Sequence, residues 1–336
     1  MSVDLNTLYY ILSHKRPYAG QSDEKIIKEV LDPVNGMKSD LFGNRYVHIG
    51  PDDTTTLFSC HTDTVHRNSG QQKVLHHAKK GELYKDDNHP LGADDGAGMW
   101  LMLNMIDEKI PGLYVFHRGE ECGGLGSNHI ARDAAWMLKP IKRAVAFDRR
   151  GKTDIITSQA GGKCASDEFA KELSLQLNMG HKTARGSFTD TANYIHLVDE
   201  CTNISVGYDR EHTSGETQHL GYLQSLLERI CLVDWEGLPV VRKPGDTGRY
   251  GWGSRDNFSY GQTLNRDILS QPMDFAETYG NAYYVPAPYE FDELYYLLMT
   301  EPEVIAQLLV DKEISPVEVD RARSKLLGTS KVRNIC

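Results

Sequence analysis

The sequence predicts an α/β protein whose central sheet is largely parallel and flanked by helices. Two observations carry that expectation. Between about residues 40 and 235, apolar runs of strand length alternate with helix-length amphipathic stretches. Acidic and imidazole clusters recur where such strands should give way to loops, and parallel sheets gather ligands beyond the carboxyl ends of their strands.

The strand-length runs are Arg45–Ile49, Thr56–Cys60, Gly112–His117, Arg143–Phe147, Asp154–Ser158 and Asn203–Val206. Helices are predicted over Ala97–Glu108, Ser127–Met137, Ala165–Leu177, Asp190–Val198 and Leu220–Val233. In the last of these, Leu223, Leu226, Leu227, Ile230 and Cys231 recur at the three-four spacing of one helical face. Residues 1–39 read as a helical cover of two short pieces, Thr7–Ser13 and Ser22–Leu31, with Ser22 as N-cap.

A catalytic domain is therefore expected over residues 1–235. Beyond Trp235 the character changes: residues 236–336 hold eight of the chain's 17 tyrosines in a stretch rich in Gly, Pro and Asp. That segment is expected to be irregular and packed on the catalytic domain. C-terminal helices should follow, opened by capping boxes at Thr300–Glu303 and Ser315–Glu318.

Composition bounds the function. A chain of 336 residues with 25% charged and 40% hydrophobic residues suits a soluble protein with a full core. The net charge of −10 argues against nucleic acid and against anionic membrane as partners. No apolar run reaches the ~20 residues that span a bilayer, and the N-terminus does not read as a signal peptide. The six cysteines are scattered without CxxC pairs, so reduced thiols in a cytoplasmic protein are expected.

Five clusters carry the chemistry. His61-Thr62-Asp63 follows the strand run Thr56–Cys60; in extended chain the first and third residues share a side, so the Asp63 carboxylate can reach the His61 ring and orient it. Gly92-Ala93-Asp94-Asp95-Gly96-Ala97-Gly98 pairs two carboxylates, suited to a bridging ligand, at the mouth of an apolar helix. Arg118-Gly119-Glu120-Glu121-Cys122-Gly123-Gly124 offers consecutive glutamates that point apart, one for metal and one as a base. Asp148 closes the strand run Arg143–Phe147, and His212 lies in the loop after Asn203–Val206. Two imidazoles with three carboxylates are a ligand set for a pair of zinc ions, with manganese or cobalt as substitutes. By contrast Asp86-Asp87-Asn88-His89 and His76-His77 read as solvated surface.

Taken in order, HxD, GADDxAG, EExGxxG, an isolated Asp and a late HTxxE resemble the zinc-dependent exopeptidase superfamily, over roughly residues 40–235. That superfamily includes bacterial leucyl aminopeptidases, peptidase T and carboxypeptidase-G-type enzymes. The resemblance implies a three-layer αβα fold with a mostly parallel mixed sheet and two Zn2+ ions. It implies that His61 and Asp148 hold one ion, that Glu121 and His212 hold the other, and that Asp94 bridges them, with Asp95 as the alternative bridge. Glu120 would be the general base, Asp63 the orienting carboxylate, and Asp190, in the turn Gly186–Ala192, a group for the substrate amine or a helix cap.

Spacing selects a branch. Asp63 and Asp94 stand 31 positions apart, and Asp148 and His212 stand 64 apart. Neither gap accommodates the inserted domain of tetrahedral-shell aminopeptidases or the lid of the peptidase T and carboxypeptidase branch. The compact leucyl aminopeptidase branch remains, and with it an aminopeptidase acting on peptides. A deacylase or carboxypeptidase on the same scaffold, or a catalytically silent binding module, stands as the alternative.

Overall fold

A computed structural model describes residues 5–246 apart from Gly161, all within one compact unit, Met1–Trp252. The expected Tyr-rich segment beyond residue 246 and its capping boxes at Thr300 and Ser315 lie outside the described residues.

Among the described residues, the main sheet has nine strands. Its principal members are β1 (Arg45–Ile49), β2 (Thr56–His61), β3 (Gly112–His117), β4 (Arg143–Arg149), β5 (Asp154–Gln159) and β6 (Glu200–Ser205), in the spatial order β5-β6-β4-β2-β3-β1. Strands β6, β4, β2 and β3 run parallel, while β1 and β5 are antiparallel to their neighbours. The sheet is thus mixed and mostly parallel.

Strand β2 sits at its centre with all six residues buried, as a parallel strand covered on both faces requires. The alternation of side chains divides the core in two. Phe58 and Cys60 of β2 join Tyr114, Phe116, Val145 and Phe147 on one face. Leu57, Leu113, Val115 and Ala144 face the other side.

Helices complete the layers: α1 (Leu5–Leu12), α2 (Gln21–Ile26), α3 (Ala93–Asp107), α4 (Leu125–Asp133), α5 (Asp167–Leu177) and α6 (Leu220–Ile230). Helices α1, α3, α5 and α6 pack with the Phe58 face, and α4 with Tyr194, Ile195 and Val198 covers the Leu57 face. Helix α3 is apolar all round, with Met99, Trp100, Leu101 and Met102 fully buried, because it lies between the sheet and its neighbouring helices. Its contact with β4 depends on Gly98: a Cβ there would stand 2.3 Å from the Phe147 carbonyl oxygen and 2.5 Å from both Asp95 carboxylate oxygens.

Several boundaries differ from expectation. The helix expected over Asp190–Val198 is a short 3-10 turn, Asp190–Tyr194, entered through an extended Thr189. Ser22 lies inside α2, whose N-cap is Gly20. Strand β6 begins at Glu200, three residues before the expected start. A hairpin of Leu75–His77 and Glu82–Tyr84, not expected, pairs with Thr217–His219. Beyond Trp235 the described chain stays on the domain: Leu238 is buried, and Arg143 donates to its carbonyl through Nε at 3.0 Å. Among the described residues, no helix is long and apolar enough to cross a membrane.

Candidate metal centre

Four loops at the carboxyl ends of the parallel strands converge on one point. His61 closes β2, Glu120 and Glu121 follow β3, Asp148 lies near the end of β4, and His212 follows β6. Asp94 enters from the first turn of α3, where Asp94 and Asp95 are non-helical and joined by a cis peptide bond. Asp94 Oδ1 stands 3.1 Å from His61 Nε2, and Asp94 Oδ2 stands 3.1 Å from His212 Nε2. Asp148 Oδ1 lies 3.6 Å from His61 Nε2, and Glu121 Oε1 lies 3.0 Å from His212 Nε2.

Among the described residues, two groups of three could hold a metal ion: His61, Asp94 and Asp148, and Asp94, Glu121 and His212. In each, the ligand atoms lie within 4.8 Å of one another. The groups share Asp94, which turns one oxygen to each histidine. Asp95 does not compete for that place. Its Oδ1 accepts the Gly98 N–H at 2.9 Å and its Oδ2 accepts the His61 N–H at 3.3 Å, so its carboxylate faces backbone.

The residues fit a divalent cation. Glu121 Oε1 is buried with no hydrogen bond aimed at it, although His212 Nε2 is 3.0 Å away. Two lone-pair-bearing atoms that approach without a hydrogen bond suit a shared cation, and imidazole with carboxylate is a zinc donor set.

The charged groups of the cluster act on one another. His212 is pushed up to about 11 by the carboxylates of Asp94 and Glu121 beside it. Burial opposes the charged form of His61, but the carboxylates of Asp148 and Asp94 outweigh it and hold that ring well above its ordinary value. Asp94 lies below the usual carboxyl range despite burial, because both imidazoles bond to it. Burial raises Glu120 well above its ordinary value and Asp148 to about 6.

Support around these groups is specific. Asp148 accepts hydrogen bonds from Thr189 Oγ1 at 2.7 Å and from Tyr208 Oη at 2.9 Å. Asn203 holds its backbone, accepting from the Asp148 N–H at 2.9 Å and donating to its carbonyl at 2.7 Å. Glu216 accepts the N–H groups of Gly92 and Asp94, each at 2.9 Å. His212 itself adopts φ of +62°, a left-handed conformation uncommon for a non-glycine residue.

Two sequence-based roles are placed differently. The Asp63 carboxylate does not orient His61; it accepts the N–H groups of Gly119, Glu120 and Glu121 at 2.8, 3.2 and 3.2 Å and shapes the glutamate turn. The hydrogen bond to His61 Nδ1 runs to the Asp63 backbone carbonyl at 3.0 Å, with the carboxylate 3.8 Å away. Asp190 is not brought to the cavity. It is 1% exposed, with Oδ2 3.3 Å from His117 Nδ1, and the turn that carries it reaches the site through Thr189 instead.

A cavity of about 220 Å3 opens over the cluster, lined by Asp94, Glu120, Asp148 and His212 and walled by Ile156 and Phe188. A larger groove of about 870 Å3, between Tyr10, Val34 and Ile106, contains none of the cluster residues.

No family model matches the chain, and no curated protein matches it. Solved structures do. The chain is similar to the aminopeptidase PepT from Bacillus cereus ATCC 10987, at 14% identity and a TM-score of 0.55, covering 68% of this chain and 96% of that one. It is similar to a tripeptidase from Staphylococcus aureus, at 15% identity and a TM-score of 0.57, covering 68% and 95%. A TET aminopeptidase from a marine sediment archaeon matches at 11% identity and a TM-score of 0.55, covering 69% and 96%. The chain has the fold of these aminopeptidases. Between Asp148 and His212 it adds no separate domain, since that whole segment belongs to the one compact unit.

Proposed function

We propose that the chain is a two-zinc aminopeptidase that releases N-terminal residues from peptides. One observation carries the reading: Asp94 presents one oxygen to each of two ligand groups, the arrangement a bridging carboxylate needs. In this reading His61 and Asp148 hold one ion, Glu121 and His212 the other, and Asp94 both. Manganese or cobalt could replace zinc. A pair of such ions polarises a scissile carbonyl and lowers the pKa of water toward neutrality.

The chain's own groups do the rest. Glu120 belongs to neither ligand group and lines the cavity with Oε2 4.0 Å from His61 Nε2. Its burial among Asp148, Asp190 and Glu121 raises its proton affinity, which suits a base that accepts a proton from the attacking water and returns it to the departing amine. Thr189 and Tyr208 hold Asp148 in one orientation, so its oxygens need not reorganise during the reaction. Ile156 and Phe188 offer an apolar wall to a substrate side chain.

The test is hydrolysis of leucyl, alanyl and acidic aminoacyl arylamides, each paired with its N-acetyl form, with and without zinc or cobalt. Turnover of the free amines alone, abolished by chelation and lowered at least ~10²-fold in Glu120→Gln with metal retained, is expected. Equal turnover of the acetylated set would replace the aminopeptidase with a deacylase. Failure to bind metal would overturn the reading altogether.

A further inference from the structure

Arg16 belongs to none of the motifs and does not line the cavity, yet its guanidinium touches two loops that carry proposed ligands. The residue is 0% exposed. Its Nε donates to the Thr62 carbonyl at 2.9 Å, its Nη2 to the Gly92 carbonyl at 2.9 Å, and its Nη1 to the Ile11 carbonyl at 2.8 Å. Thr62 directly follows His61, and Gly92 lies two residues before Asp94. The main chain joins in: Arg16 N donates to Thr64 Oγ1 at 3.2 Å, and Thr64 N donates to the Arg16 carbonyl at 2.7 Å.

These contacts are unusual for a buried cation. Every hydrogen bond from the side chain ends on a backbone carbonyl, and the carboxylates of Asp23, Glu216, Asp95 and Asp63 act on its charge from further away. Burying a guanidinium costs several kcal/mol unless its donors are all met. An apolar side chain would fill the space without that cost, so the fork must supply something that packing does not. What it supplies is geometry: a rigid plane whose N–H groups meet two loops at once. A lysine, with one nitrogen on a flexible stem, cannot span both.

We propose that Arg16 is a positioning residue for the metal centre. Its fork sets the separation of the His61 and Asp94 loops, and with it the 3.1 Å approach of His61 Nε2 to Asp94 Oδ1 within the His61, Asp94 and Asp148 group, whose Asp94 the second group shares. The N-terminal segment is then part of the site's framework as well as a cover on the sheet. The inference rests on the two-metal reading above.

Zinc binding to the full chain, measured by competition with a chromogenic chelator beside thermal melts, tests it. Wild type is compared with Arg16→Lys, Arg16→Met and Leu8→Ala; Leu8 is a fully buried residue of α1 remote from the ligands in sequence. Both Arg16 variants are expected to bind zinc at least ~10-fold more weakly, the scale of lost outer-shell support. Leu8→Ala is expected to lower Tm and keep its zinc affinity. Millimolar guanidinium, but not urea, should restore affinity to a further variant, Arg16→Ala. Should the Met and Ala variants fold poorly, Arg16→Lys retains the charge and carries the comparison. Wild-type affinity in Arg16→Lys, or an equal loss in Leu8→Ala, overturns the proposal while leaving the metal centre standing. Absence of zinc from wild type overturns both.

Discussion

Glu216 offers a perturbation whose size can be worked from two distances. Its Oε1 accepts the Asp94 N–H and its Oε2 the Gly92 N–H, both at 2.9 Å, and the residue is 1% exposed. Glu216→Gln keeps the shape but exchanges one acceptor for an NH2 group, so one of the two backbone donors then faces another donor. An unmet buried donor costs roughly 1–3 kcal/mol, and a hydrogen bond to a charged acceptor contributes roughly 1.5–3. Part of that loss is offset, because burial already disfavours the ionised carboxyl and raises it to about 7. A net loss of about 2 kcal/mol is therefore expected at pH 8, where Glu216 is ionised. Urea denaturation of wild type and variant measures it, with an unchanged m-value required for the comparison. Metal affinity should fall in parallel, since the freed donors precede and include Asp94. A stability change below about 0.5 kcal/mol together with unchanged zinc affinity would refute the clamp, whatever the distances.

Gly98→Ala should destabilise the chain although alanine favours helix by about 1 kcal/mol: the new Cβ meets the Phe147 carbonyl at 2.3 Å, and overpacking of about 1–3 kcal/mol wins. A lowered Tm in calorimetry checks it, and an unchanged or raised Tm would contradict so close an approach of α3 to β4. Acid should also weaken the fold. His66 and His181 are each held down from 6.5 to about 4, chiefly by burial, so the folded chain binds fewer protons than the unfolded chain between those values. Their stabilisation is complete above pH 6.5 and is lost as pH falls toward 4, by about 2 kcal/mol per histidine at pH 5. Denaturation of His181→Gln at pH 7.5 and pH 5 should show a pH difference smaller by that amount.

How legible the fold was depended on local signals. Strands β1 and β3 match their expected bounds residue for residue. Strand β6 begins earlier than its apolar run because Glu200 looks like a loop residue. In the structure it is 0% exposed and accepts from Ser166 N at 2.6 Å, Ser166 Oγ at 2.8 Å, Val241 N at 2.8 Å and Arg242 N at 2.9 Å. Three of those four donors are backbone, and all four come from residues 34 to 42 positions away, so no local pattern announces them. The hairpin around Lys79-Lys80-Gly81 escaped for a different reason. Its strands are only three residues each, and they are held by pairing with Thr217–His219 across the chain.

The site shows the same division at higher resolution. Residues able to bind a metal or move a proton come from a short list of side chains, and at strand ends they stand out. His61, Asp94, Glu120, Glu121, Asp148 and His212 lie together in space. Which of two neighbours faces the site is harder to read, since adjacent residues in extended chain point to opposite sides. Thr189 is extended and reaches Asp148, while Asp190 beside it is turned to His117. Hardest of all are the groups that act on backbone. Arg16 is 46 positions from Thr62 and 76 from Gly92, and Glu216 is 122 and 124 from the N–H groups it holds. Their partners are carbonyls and amides, which nearly every residue possesses, so no residue type marks the far end of the contact. Motif reading therefore finds the side chains suited to the proposed chemistry and misses the groups proposed to fix their spacing. A chain with the proposed ligands intact and Arg16 or Glu216 lost would look competent in sequence, and the two-metal reading predicts that it would bind metal poorly.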